Sequence, residues 1–178
     1  LANEPLLDVS GDASFTAGSD ITLTSENNNF GTLLADGSRV EIVEASATSL
    51  RGVTADELVL TSAGNITESG VISVDVSSRI VAADSTITLV SAENSFGLLS
   101  LTTGVATITE GDDTALREVA VTDLTLTTAG DLTNQAGSSL DLGVATLGAS
   151  GNIDLSRNRG EVNFNQGVEL DAGGSVSV

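Results

Sequence analysis

Histidine, lysine, cysteine, methionine, tryptophan and tyrosine are all missing from this chain of 178 residues. Without His or Cys, neither a Ser–His–Asp triad nor a Cys–His pair can be assembled, and a Ser–Lys variant fails for want of Lys. Zinc held by imidazole or thiolate is excluded on the same grounds. The absence of Cys also removes any disulfide framework, so a long and regular fold must stand without a covalent staple. Aromatic residues amount to four Phe, which leaves no Trp or Tyr platform for stacking sugar rings. Proline occurs once, as Pro5, so turns must rely on Gly, Asn, Asp and Ser. No apolar run approaches the roughly 20 residues a membrane-spanning helix needs. No charged-then-apolar leader opens the chain, so any export signal is expected to have been removed or to lie outside this segment.

Positive charge is scarce as well. Twenty-five acidic residues stand against six basic ones, all Arg, for a net charge of −19. Such a surface repels nucleic acid, whose binding depends on basic side chains neutralising phosphates. It is equally unsuited to an acidic lipid headgroup layer. What is abundant is small or β-branched. Apolar residues make up 40% of the chain and Gly contributes 19, which suits a thin, layered β interior.

The pattern has a period. Ile21-Thr-Leu-Thr-Ser-Glu-Asn-Asn-Asn-Phe-Gly31 returns sixty-six positions later as Ile87-Thr-Leu-Val-Ser-Ala-Glu-Asn-Ser-Phe-Gly97, and Ile153-Asp-Leu155 opens a third copy. Leu50-Arg51 likewise recurs as Leu116-Arg117. A fixed long period is the mark of a repeat architecture. Between the copies run short stretches that alternate apolar and polar residues, the period of a strand with one buried face. Val40-Glu-Ile-Val43, Leu58-Val-Leu60 and Leu124-Thr-Leu126 are examples. No window carries helical apolar spacing with caps.

Turn signals every eight to twelve residues would also suit a sandwich or barrel, but neither requires its strands to recur at so long a period. Sixty-six divides into three coils of 22. The expected fold is therefore all-β: a single right-handed parallel β-helix (β-solenoid) of about eight rungs, with a 66-residue super-repeat of three rungs. At about 4.8 Å per stacked strand the rod would be roughly 38 Å long. Ile21, Leu23, Ile87, Leu89, Ile153 and Leu155 are expected to point inward, three rungs apart. Asn65, Asn94, Asn134 and Asn152 are expected at turns, able to take the left-handed conformation and to bond to a stacked neighbour. Phe30 and Phe96, equivalent by repeat, read as a core position, and Phe15 and Phe164 as the same.

Phrases such as Leu58-Val-Leu-Thr-Ser-Ala-Gly-Asn-Ile-Thr-Glu-Ser-Gly70, followed by Ile87 to Gly97, resemble the repeats of filamentous-haemagglutinin-like proteins. These are large bacterial surface or secreted adhesins exported by two-partner or autotransporter routes. The resemblance runs from about Val9 to the end of the chain. It implies a right-handed parallel β-helix and an extracellular, cell-surface address. Its motifs are core and turn positions, so they identify a scaffold more than a role, and the secretion cap of that family has no counterpart here.

Candidate sites are few. Glu110-Gly-Asp-Asp113 is a short phrase like those carrying paired Asp in β-helix polysaccharide hydrolases, whose two carboxylates serve as acid and base. Those enzymes add His and Lys or Arg around the site, and here His and Lys are missing. The phrase reads as a solvated acidic turn, the alternative being weak calcium binding by Glu110, Asp112, Asp113 and neighbouring carboxylates. Ala172-Gly-Gly174 is a lone turn. The Thr-x-Thr pairs at 22/24, 86/88, 107/109 and 125/127 raise an ice-binding face, which needs a pair on every rung. At the spacing of the repeat, however, Thr24 becomes Val90 and then Ser156, so the threonines read as β-branched strand residues. Arg51 and Arg117 lie amid acids and should pair with carboxylates. Asn65-Ile-Thr67 is a formal glycosylation sequon whose equivalent is Asp131-Leu-Thr133, so Asn65 reads as a turn residue.

Residues 1–178 thus read as one β-helix domain, a segment of a longer solenoid or filament. It is expected to be structural rather than enzymatic, with no catalytic, cofactor-binding or metal residues assigned. An adhesin module binding a cell-surface receptor and, behind it, a carbohydrate-active β-helix are the alternatives. Residues 1–8 offer only a thin cover, with Leu6 and Leu7 expected to be buried, and strand alternation persists to Val178. The coil is therefore expected to continue past Val178, into more chain or head to tail onto the Leu1 end of an identical subunit.

Overall fold

The computed structural model describes residues 6–156 and 160–178. Among these there are thirteen strands and no helix, and every strand pairing is parallel. The chain winds as a β-solenoid of about eight turns around one continuous apolar interior. The length of a turn varies: a short one carries the ladder from Leu33 to Leu50, a long one from Val144 to Gly167. Each turn contributes to three walls, and each wall is a ladder of strands that hydrogen-bond to the turns above and below.

Inward residues form columns. On the first wall Leu23, Ile42, Leu60, Ile80, Leu101, Val119 and Leu140 are consecutive neighbours. On the second, Leu89, Ile108, Leu126 and Leu147 stack in the same way. The third carries Leu132 and Ile153 in register. Apart from half-buried Leu23, all of these are buried. Leu, Ile, Val and Ala suffice because each layer is only one strand spacing thick, and like side chains nest on like.

The expected inward positions hold, but the register of the repeat does not. The ladder from Ile21 passes through Val40, Leu58 and Ser78 to Leu99. Ile87 falls between Ser78 and Leu99, on the second wall, where it pairs with Ile66 and Ala106. Ile153 lies on the third wall, paired with Leu132 and Val176. One repeat therefore spans about three and a third turns, which on average are shorter than the expected coil of 22. Each copy begins one wall further round. The sequence cannot show this, because an inward Ile looks alike on any wall.

Strands also run longer than the short alternating stretches expected. Ile72–Leu89 is one strand by its pairing, since the chain bends at the corners without breaking the ladder. Of the corner Asn residues, none takes a positive φ; among described non-glycine residues only Asp84 does, at 56°. Gly97 does require the left-handed region, at φ 60°, and a Cβ there would meet the Val76 carbonyl oxygen at 2.6 Å. Phe15 is half-buried and packs edge to face on Phe30, with ring centroids 5.5 Å apart.

At one end, Leu7 packs against the core as expected, but Leu6 is 57% exposed. The expected cover by residues 1–5, and the Leu1 surface, lie outside the described residues. At the other end, the inward columns continue into the turn of residues 160–178, where Val168, Val176 and Val178 are exposed.

Candidate functional site

The recurring phrase builds a corner. Asn28 and Asn94 are both 1% exposed, and each side-chain oxygen accepts a backbone N–H from the preceding turn, of Leu7 at 3.2 Å and Ile72 at 2.9 Å. Their amide groups donate onward to the Val43 carbonyl at 3.3 Å and the Thr109 carbonyl at 3.4 Å. Two residues later the backbone N–H of Phe30 or Phe96 donates to a buried carboxylate, Glu44 at 3.0 Å or Glu110 at 2.8 Å. The second oxygen of each carboxylate accepts from the hydroxyl of Thr48 or Thr114. Asn, Phe, Glu and Thr thus form a clasp across successive turns, present twice and placed one wall apart by the extra third of a turn. At the period of sixty-six the third copy carries Gly160, Val162 and Val176 where the clasp has Asn, Phe and Glu, so its sequence does not supply a third.

Burial dominates the electrostatics of the clasp. Desolvation pushes the Glu110 carboxyl from 4.5 up to about 7, against the lowering effect of its bonds to Thr114 and Phe96 and with a further upward push from Asp112. Glu44 is raised too, chiefly by desolvation, and its bonds to Thr48, Phe30 and Ser46 oppose that.

The reading of Glu110-Gly-Asp-Asp113 as a solvated turn holds for Gly111, Asp112 and Asp113, which are exposed at a bend, and is corrected for Glu110. Glu110 is 1% exposed and points inward as the last residue of strand Leu98–Glu110. Asp112 instead accepts the Ser95 hydroxyl at 3.0 Å, and Asp113 accepts the backbone N–H of Asp131 at 2.8 Å. The three carboxylates serve three different partners. Among the described residues no group of three or more acidic side chains is arranged to hold a metal ion.

Asp113 belongs to a second device. Asp131 accepts the N–H of Asn152 at 2.6 Å, and Asn152 in turn accepts that of Ser175 at 3.0 Å. Asn65 does the same for Thr86 at 3.0 Å. The expected bonding of corner Asn to a stacked neighbour is therefore present, shared between Asn and Asp. It satisfies backbone donors where the walls bend and the strand ladder lapses. Asn134 is buried and bonds to Ser138 at 2.9 Å.

The threonines are better aligned than the spacing of the repeat implies. Thr67, Thr88, Thr107, Thr125 and Thr146 are direct neighbours on five successive turns of the second wall, all facing outward. Beside them Thr109 stacks on Thr127, and the next position is Gly148. Val90 and Val144 lie exposed on the same wall. The array is one complete column flanked by a partial one, not a pair on every rung. Of the paired arginines, Arg51 meets Asp12 at 2.6 Å as expected, an exposed contact worth about 0–1 kcal/mol. Arg117 only grazes Glu118 at 4.0 Å.

Parallel ladders, corner clasps and a long sequence period define a repeat protein of the β-solenoid class. The chain belongs to the family described as repeats of unknown function (DUF5649), which matches residues 6–36, 37–102 and 103–170. No curated protein and no solved structure matches the chain.

Sequence reasoning missed the buried carboxylates and the threonine column for one reason. Both depend on which residues sit one turn apart, and the period reports only residues three and a third turns apart. The signal for the clasp was available in the joint recurrence of Asn28, Phe30, Glu44 and Thr48 as Asn94, Phe96, Glu110 and Thr114.

Proposed function

We propose that this chain is a structural rod segment of an extracellular bacterial surface or secreted protein, similar to filamentous-haemagglutinin-like solenoids, which assembles by stacking turn on turn. The observation that carries the reading is the uninterrupted stacking of turns on one apolar interior, whose ladder positions run on into an exposed turn over residues 160–178. Val168, Val176 and Val178 sit at ladder positions whose counterparts one turn inward are buried, yet they are 45%, 49% and 62% exposed. Phe164 and Leu170 are covered on one side only. Their strands also present a rung of unpaired N–H and C=O groups, a template for a further parallel strand. A contact between unlike ends repeats itself and yields a filament.

Both clasp carboxylates are buried and engaged by the chain's own donors, which favours a scaffold over an enzyme. Sedimentation velocity and electron microscopy across a concentration series test the reading. Rods that lengthen with concentration, and that Leu170→Lys with Val176→Lys abolishes, are expected. A chain that stays monomeric at every concentration and salt level would overturn end-to-end assembly.

A second reading, an adhesin module, is favoured by the threonine column. In a chain of net charge −19 it is a stretch of wall where a surface or receptor could approach five stacked hydroxyl side chains rather than carboxylates. Loss of cell or surface adhesion on Thr107→Lys with Thr125→Lys, with rod length unchanged, is the outcome that would select it.

A further inference from the structure

Arginine is rare in this chain and acid plentiful, so an Arg without an acidic partner is conspicuous. Arg39 is engaged by Glu41 at 2.9 Å and Glu57 at 3.5 Å, and Arg51 by Asp12. Arg79 makes no ion pair or hydrogen bond among the described residues, and Arg117 reaches its one carboxylate only at 4.0 Å. These two under-used guanidinium groups border the same cleft, of about 250 Å³, at the start of the first wall.

The ladder places them on either side of a serine. Arg79 is the register partner of Ser100 on the next turn. On the turn after that, a bulge between the Leu99–Leu116 and Leu101–Val119 pairs sets Arg117 and Glu118 together against Ser100. Ser100 alternates outward between buried Leu99 and Leu101, is only 9% exposed, and its hydroxyl has no hydrogen-bond partner among the described residues. The one fully buried hydroxyl without a partner among the described residues, that of Ser78, sits on the inward column between Leu58 and Leu99 and belongs to the core rather than to the cleft. The Ser100 hydroxyl, unpartnered and set between the two arginines, is free to donate to a group held in the cleft.

We propose that Arg79, Ser100 and Arg117 form a binding site for a tetrahedral oxyanion, a phosphate or sulfate group. The two arginine Cα positions lie two strand spacings apart, about 10 Å, so their side chains close on a bound group from opposite sides. One guanidinium saturates a carboxylate, whose two oxygens lie in one plane. A tetrahedral dianion offers oxygens to both guanidinium groups and keeps one for the Ser100 hydroxyl. The surrounding field of a −19 chain repels extended polyanions, so the group is taken free or as a single ester on an otherwise neutral molecule. Glu118 opposes binding at the rim, and it is 67% exposed and free to swing away.

Equilibrium dialysis of the full chain against radiolabelled inorganic sulfate and phosphate, at matched ionic strength, tests the site. One saturable site is expected, weakened at least about ten-fold by Arg79→Gln or Arg117→Gln and tightened by Glu118→Gln. Arg39→Gln should leave it unchanged. All four side chains project from the surface, and circular dichroism checks that each variant keeps its β signal. Displacement by a phosphate or sulfate monoester of a neutral alcohol distinguishes the sources: tighter binding than the inorganic ion identifies the ester, equal or weaker binding the free ion. Uptake that does not saturate, or that survives Arg79→Gln, means non-specific ion association and overturns the proposal.

Discussion

Replacing Glu110 by Gln should remove most of one pH-dependent stability step. The carboxyl is raised from 4.5 to about 7 by burial. A native group that holds its proton more tightly than the unfolded chain contributes stability that is fully present below the unfolded value. That contribution is lost as pH rises from about 4.5 to about 7. The shift corresponds to about 3 kcal/mol, at 1.36 kcal/mol per pH unit. In the variant the Gln oxygen still accepts the Phe96 N–H, and its amide can donate to the Thr114 hydroxyl. The clasp keeps its shape and loses its titration. Urea unfolding at a series of pH values from 4 to 8 reads this directly. The stability of the native chain minus that of the variant should fall by about 3 kcal/mol between pH 4.5 and 7 and stay level above. Taking the difference cancels the repulsion among the other carboxylates, which ionise in both proteins. A difference that does not change with pH, or that rises through this window, would show that Glu110 is not held in a desolvated clasp.

Leu89→Ala removes a fully buried side chain that stacks on Ile108 and should cost about 2–5 kcal/mol by denaturant unfolding. Gly97→Ala forces a Cβ into the left-handed region beside the Val76 carbonyl and should cost at least about 1–2 kcal/mol. Gly11→Ala, where a Cβ meets nothing within 4 Å, should change stability little. Added salt should promote association of the −19 rods by screening, measured by sedimentation. Calcium and magnesium chloride at equal ionic strength should then act alike, because the described acidic side chains form no metal cluster.

What the sequence disclosed follows from what a period can carry. Alternation at Val40 to Val43 or Leu124 to Leu126 reports an inward face directly, so the solenoid class and the buried state of Ile87 and Leu89 were legible. The strands at Asn29–Asp36 and Thr48–Ser62 are not fully legible from alternation. There Gly31, Leu33 and Leu34, and further on Arg51, Gly52 and Asp56, interrupt strict alternation where the chain turns between walls. The length of a turn was not legible, because it varies with the corners while the repeat fixes only three and a third turns taken together. Glu110 was misread because charge in a Gly-Asp-Asp setting ordinarily means water. Its burial depends on Phe96 and Thr114, which only the neighbouring turns bring to it.

The turn register underlies the clasps, the threonine column and the oxyanion cleft alike, and spin labels can test it on a chain with no native cysteine to remove. Nitroxides on cysteines at positions 107 and 125 should sit on adjacent strands, about 4.8 Å apart at the backbone, and broaden each other's spectrum strongly. Labels at 107 and 129, the pair that coils of 22 would superpose, should be about 14 Å apart and interact weakly. Stronger broadening in the 107/129 pair would contradict a repeat of three and a third turns.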